Sequence, residues 1–197
     1  MSAFDDAPLV QAEDRETWRA WLEANHATAA GVWLVTWKAG AGRPILDYEA
    51  AVEEALCFGW IDGVTGRVDE QRTRQYFARR KPNGTWAATN KARVERLIAA
   101  GRMAPAGLAA IERARANGSW GLLDSVERLE APDDLVAALA ARAGAAERVL
   151  AWSPSMRKGL LGWLVLAKRP ETRAARIAEI ATAAASGEVP APYRRRD

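Results

Sequence analysis

GVWLVTWKAGAGRPILDYEAAVEEALCFGWIDGVTGRVDEQRTRQYFARRK, residues 31–81, changes its hydrophobic period several times, and those changes set the fold. Over GVWLVTW, Val32, Leu34 and Thr36 alternate with Trp33, Val35 and Trp37, the two-residue period of a strand with apolar cover on both faces. AGAGRP, rich in Gly and Pro, ends that strand. Asp47 is placed to cap a helix running to about Phe58, on which Tyr48, Val52 and Leu56 recur every four residues. Gly59 stops the helix, and residues 60–68 and 73–80 then read as two strands joined by a turn at residues 69–71.

Upstream, Trp18, Trp21, Leu22 and Asn25 share one face at helical spacing, which predicts an amphipathic helix over about residues 13–26. Downstream, Lys81-Pro82-Asn83-Gly84 breaks regular structure, and Trp86, Asn90, Val94, Leu97 and Ile98 mark a helix closed by Gly101. Pro105 opens another, which ends at Gly118. After a loop over residues 119–132, helices are expected at about 133–142, 144–151, 154–168 and 171–185, two of them opened by Pro154 and Pro170. The expected class is α+β: a small, mostly antiparallel sheet of about three strands packed by helices in the N-terminal half, followed by a helical C-terminal part. The expected organisation is an α+β domain over residues 1–128, a helical segment over 129–187 packed on it, and a flexible basic tail over 188–197.

Composition narrows the chemistry. The chain has 197 residues with nine Trp, one Cys and one His, so no internal disulfide and no Cys/His zinc site can be assembled from it, and no metal or cofactor is expected. The net charge of +3 conceals segments of opposite sign: −7 over residues 1–66, +6 over 67–96 and +5 over 151–197. Twenty-three of the 28 basic residues are Arg, which favours bidentate pairing with carboxylate or phosphate. MSAFDDAPLV starts acidic without an apolar core, and the longest apolar run, residues 160–167, is too short to span a bilayer. No membrane insertion and a cytoplasmic, reducing setting are therefore expected.

Familiar catalytic signatures fail. Gly40-Ala41-Gly42 lacks the third glycine and the following helix of a dinucleotide loop. Ser155-Met156-Arg157-Lys158 has the spacing of a Ser/Lys site, but the partner motifs are missing; Ser153 reads as a helix cap and Lys158 as a solvated side chain. His26 lies near a helix end and reads as a cap or surface residue. No catalytic residue is assigned.

EEALCFGWIDG at residues 53–63, the long segment from YFARRKPNGTW to RARANGSW at 76–120, and WLVLAKRPETRAARIAEI at 163–180 together resemble the YdeI/OmpD-associated family, also called bacteriocin-protection proteins. The resemblance runs from about Trp18 to Ala185, and residues 130–187 resemble the module behind the OmpD-associated name. It implies a bacterial cytoplasmic stress-tolerance protein linked to bacteriocins and antimicrobial peptides, with no established reaction, cofactor or catalytic residue. Gly84 and Ala87 stand where hydroxyl residues are more usual in the family.

Three functions compete. In the leading one, a pocket lined by Trp37, Trp60, Trp86 and Trp120, with Glu53, Glu54 and Asp62 facing Arg79, Arg80 and Lys91, takes a small molecule or a cationic peptide. The alternative is a nucleic-acid binder using the basic 67–96 stretch, where Arg72, Arg74, Tyr76, Phe77, Arg79, Arg80 and Lys81 interleave charge with aromatics. The acidic residues nearby oppose that field and make a nucleic-acid partner the weaker expectation. A third reading is a small-substrate enzyme with Glu53 or Asp62 as base beside Arg79 or Lys91. Two acids near a helix C-terminus call for a cationic partner, and the Arg-rich strand is the nearest supply. Lys168, Arg169, Arg173 and Arg176 form a second basic surface suited to a protein partner.

Overall fold

A computed structural model describes residues 6–194, and the chain divides into two compact units, Met1–Trp120 and Gly121–Asp197. The class is α+β, with the sheet confined to the first unit.

In the first unit, β1 (Leu9–Gln11) and α1 (Arg15–Asn25) precede β2 (Gly31–Trp37), α2 (Tyr48–Cys57), β3 (Trp60–Arg67) and β4 (Arg72–Arg79). Helices α3 (Ala88–Ala99) and α4 (Pro105–Ala116) complete it. The sheet order is β1-β2-β4-β3; β1 is parallel to β2, and the other pairings are antiparallel. One strand more is present than expected, because β1 has three residues and Leu9 is exposed, too little pattern to announce itself.

Asp47 caps α2 as anticipated, accepting from the Ala50 amide at 2.7 Å. Gly59, at φ +73°, ends the helix in the left-handed conformation that glycine tolerates. Its carbonyl then receives the Arg80 amide at 2.9 Å, so the residue that stops α2 also fixes the backbone just beyond β4. Between Asp62 and Thr65 the β3–β4 register slips, leaving two β3 residues opposite Tyr76.

One face of the sheet is covered by helices. Val32, Leu34, Phe77 and Trp60 pack with Trp18, Leu22, Val52, Leu56 and Val94 in a single core. Trp18 stacks on Trp21 at 5.4 Å, Trp21 meets Trp60 edge-on at 5.8 Å, and the Trp18 Nε1 donates to the Ala51 carbonyl at 3.0 Å. Trp18 and Trp60 are structural, each filling core volume while its indole N–H donates to a backbone carbonyl. On the other face Trp33 meets Tyr76 at 5.3 Å, with the Arg74 guanidinium 4.2 Å above the Trp33 ring.

The second unit is helical: α5 (Asp124–Glu127), α6 (Asp133–Ala140), α7 (Ala145–Ala151), α8 (Pro154–Val165) and α9 (Pro170–Ser186). The short α5 lies inside the expected loop. Ile177, Ile180, Ala181 and Ala184 of α9 pack with Leu135, Leu139, Leu160, Leu161 and Leu164. Ser153 caps α8, accepting from the Met156 amide at 3.2 Å. A 3-10 turn, Ala191–Tyr193, follows α9, and Glu179 accepts from the Ala191 amide and the Arg194 side chain, each at 2.9 Å. The remainder of the expected flexible tail, residues 195–197, lies outside the described residues. Among the described residues no helix is long and apolar enough to cross a membrane.

Helix α4 reaches the end of α2 through glycine. A Cβ on Gly107 would lie 2.2 Å from the Cys57 carbonyl oxygen and 2.7 Å from Met103 Cε. Gly107→Ala is therefore expected to cost about 1–3 kcal/mol of overpacking, read as a lower urea midpoint with unchanged slope.

Candidate functional site

The acidic residues of α2 are committed to ion pairs. Glu54 is fully buried, and its carboxylate receives Arg15 at 3.3 Å, Arg19 at 2.8 Å and Arg102. Glu53 pairs with Arg15 at 2.8 Å and Arg96 at 3.3 Å, and Glu49 with Arg93 at 2.5 Å and Arg96 at 3.1 Å. The Arg93 hydrogen bonds hold the Glu49 carboxyl below its ordinary range, against a smaller opposing effect of burial. Burial, then the charge of Glu54, pushes the adjacent Cys57 thiol up, with Arg19 opposing; the thiol is inert. The expected partner for these acids, the Arg-rich strand, is not the one used. Guanidinium groups from α1, α3 and the turn after α3 reach them instead, because α2 packs between those helices.

The aromatic candidates separate. Trp60 is buried in the core and donates from Nε1 to the His26 carbonyl at 3.3 Å. Trp37 donates to Glu13 at 2.9 Å, with Arg43 and Arg72 over its ring at 5.4 and 5.7 Å. Trp86 is buried, 4.9 Å from Trp120, and Lys91 Nζ lies 5.3 Å from the Trp120 ring. The fold thus brings Trp86, Trp120, Arg80 and Lys91 into one cation–aromatic cluster, and leaves Trp37, Trp60, Glu53 and Glu54 out of it.

Arg80 is the centre of that cluster. Its guanidinium lies 3.5 Å over the Trp86 ring, and its Nη2 donates a long 3.4 Å bond to the Thr85 carbonyl. Its Nε is buried without a partner, and among the described residues no carboxylate lies within ion-pair distance of it. Desolvation pulls the guanidinium down to about 10, with the charge of Asp62 opposing.

Two clefts flank the segment Arg79-Arg80-Lys81. One, of about 440 Å³, is lined by Asp62, Tyr76, Arg79, Arg80 and Lys81 together with Ile61 and the Gly84-Thr85 turn. The other, of about 640 Å³, is walled by His26, Phe58, Pro82 and Arg113 and floored by Ala106, Ala109 and Ala110 of α4. Asn117 fixes the rim by donating to the Pro82 carbonyl at 2.8 Å and to Asn83 at 3.0 Å. Asp62 accepts from the Tyr48 hydroxyl at 2.7 Å. Burial, then that bond and the Asp62 charge, push the Tyr48 phenol up to about 12. Neither Tyr48 nor Arg113 was legible as a site residue, since each enters only through a long-range approach.

In the second unit, Arg173 forms a two-pronged pair with Asp134 at 2.6 and 2.9 Å, and Arg176 donates to the Trp163 carbonyl while lying 4.9 Å over that ring. Lys168 and Arg169 are exposed. The expected basic surface is thus half engaged within its own unit. Among the described residues no group of three His, Cys, Asp or Glu side chains is placed to hold a metal ion.

The first unit is an α+β module with a cationic double cleft, the second a helical bundle. Residues 128–187 match the family described as Bacteriocin-protection, YdeI or OmpD-Associated, as the C-terminal resemblance implied. Residues 10–110 match a second family, described as Domain of unknown function (DUF8412), so the YdeI/OmpD-associated match itself lies in the C-terminal part. That match covers just over half of the chain, so the chain belongs to the DUF8412 family and carries a YdeI/OmpD-associated segment after it. No curated protein and no solved structure matches the chain.

Glu54→Gln leaves Arg15, Arg19 and Arg102 facing a neutral amide. A loss of about 3 kcal/mol in unfolding free energy is expected by chemical denaturation, the low end for a broken buried pair because the arginines are partly exposed. Asp62→Asn removes the negative charge beside Tyr48 and should bring its phenol downward from about 12, read as earlier phenolate absorbance in an alkaline titration.

Proposed function

We propose that this chain is a binding protein of the bacteriocin-protection group, one that takes a small molecule in the clefts around Arg80. The observation that carries this is Arg80 itself: a largely desolvated guanidinium, stacked on Trp86 and opening onto two clefts, with Asp62 acting on it from a distance and no carboxylate within ion-pair distance among the described residues. Leaving such a group without a counter-charge costs free energy, and a ligand that supplies one recovers it. Positioning by the Gly59 carbonyl and the Asn117 bonds means the clefts need little ordering before a ligand arrives.

A small molecule is favoured over a cationic peptide. The acids that would receive a peptide's cations, Glu53 and Glu54, already spend their charge on arginines. Tolerance of bacteriocins then follows from ligand capture by the first unit, with exposed Lys168 and Arg169 of the second available to a protein partner.

Thermal melting and Trp fluorescence of the full chain against a metabolite panel test the reading. A ligand at saturating concentration should raise the melting temperature by several degrees and alter Trp86 emission. Arg80→Met should abolish both effects while circular dichroism shows the fold retained. Undiminished binding by Arg80→Met would remove the basis of the proposal.

A further inference from the structure

The arginines of the first unit differ in whether a carboxylate neutralises them. Those of α1 and α3, with Arg43, Arg72 and Arg102, each lie within 4.0 Å of a carboxylate. Among the described residues Arg67, Arg74 and Arg115 have no such partner, nor do Arg79, Arg80, Lys81 and Arg113, and the last four gather along the larger cleft, whose lining contains no Asp or Glu. Among the described residues their side chains donate to backbone carbonyls alone: Arg79 to Ala27 at 3.3 Å and Arg80 to Thr85 at 3.4 Å. His26 joins them, its Nδ1 donating to the Leu22 carbonyl at 2.9 Å.

Clustered cations repel unless something neutralises them, and around α2 the carboxylates of Glu49, Glu53 and Glu54 do so. Here no carboxylate lines the cleft among the described residues, yet the position is built: Gly59 and Asn117 pin both ends of the segment, and the three alanines of α4 keep the floor open. Resting on the binding reading above, we infer that the cleft between Arg79-Arg80-Lys81 and Arg113 is a receptor for a small, multiply charged oxyanion, a phosphoryl or polycarboxylate group. The planar guanidinium forks supply paired donors to its oxygens, and Lys81 adds a mobile point charge. The cleft of about 640 Å³ presents its cations without an exposed Trp, Tyr or Phe ring, which suits a compact anion better than an extended strand that stacks its bases.

Isothermal titration of the full chain with inorganic pyrophosphate and, separately, with citrate at ~0.15 M salt tests this. One site per chain is expected. Arg113→Gln should weaken it about tenfold, the size of one charge-assisted contact. Arg43→Gln, which deletes the same charge outside the cleft, should leave it unchanged. Binding of pyrophosphate alone supports a phosphoryl ligand and binding of citrate alone a carboxylate one. Equal losses in the two variants would show diffuse attraction and overturn the site. Oligonucleotide binding that tightens with length and is not displaced by pyrophosphate would overturn it in favour of a polyanion. If neither anion binds while the metabolite panel still yields an Arg80-dependent ligand, the oxyanion assignment fails and the binding reading stands; silence in both experiments sinks both.

Discussion

Glu54 sits fully buried in the last turn of α2, where the helix dipole disfavours an anion, and three guanidinium groups converge on its two oxygens. Desolvating a carboxylate costs several kcal/mol, so this one persists only because Arg15 and Arg19 arrive from α1 and Arg102 from the turn after α3. The pairing ties three segments to the end of α2. It also sets where that end lies, and Gly59, Trp60 and the Arg80 amide are placed from there.

The candidate site is the counterpart of that brace. Beside α2, Arg15, Arg19, Arg93, Arg96 and Arg102 each have a carboxylate; beyond Gly59 four cations gather with none within ion-pair distance among the described residues. The same close approach of α4, permitted by Gly107 against Cys57 and by the small alanines, both seals the helix layer and leaves the cleft floor shallow. On the binding proposed above, stability and recognition use the same chemistry, arginine beside oxyanion, with the oxyanion internal in one place and supplied from outside in the other.

Local order was largely legible. Alternation marked β2, the capping Asp47 and terminating Gly59 marked α2, and Pro105, Pro154 and Pro170 opened the helices they were expected to open. The turn at residues 69–71 and the strands beside it followed from the same signals. The site was legible in part: Arg79, Arg80 and Asp62 line one cleft, and Trp86, Trp120 and Lys91 cluster beside it. Glu53, Glu54, Trp37 and Trp60 have other occupations, because a charge or ring in sequence shows its chemistry but not its partner.

The sequence by itself determined the class, the elements and the C-terminal family segment, since periodicity, caps and breakers are properties of neighbouring residues. Only the tertiary structure decided which charges are neutralised. Arg102 is 48 residues from Glu54 and Arg15 is 39, while Arg80, much closer to the acids of α2 along the chain, has none within pairing distance. Ion pairing acts over a few ångströms of space, and chain separation does not set that distance until the helices have packed.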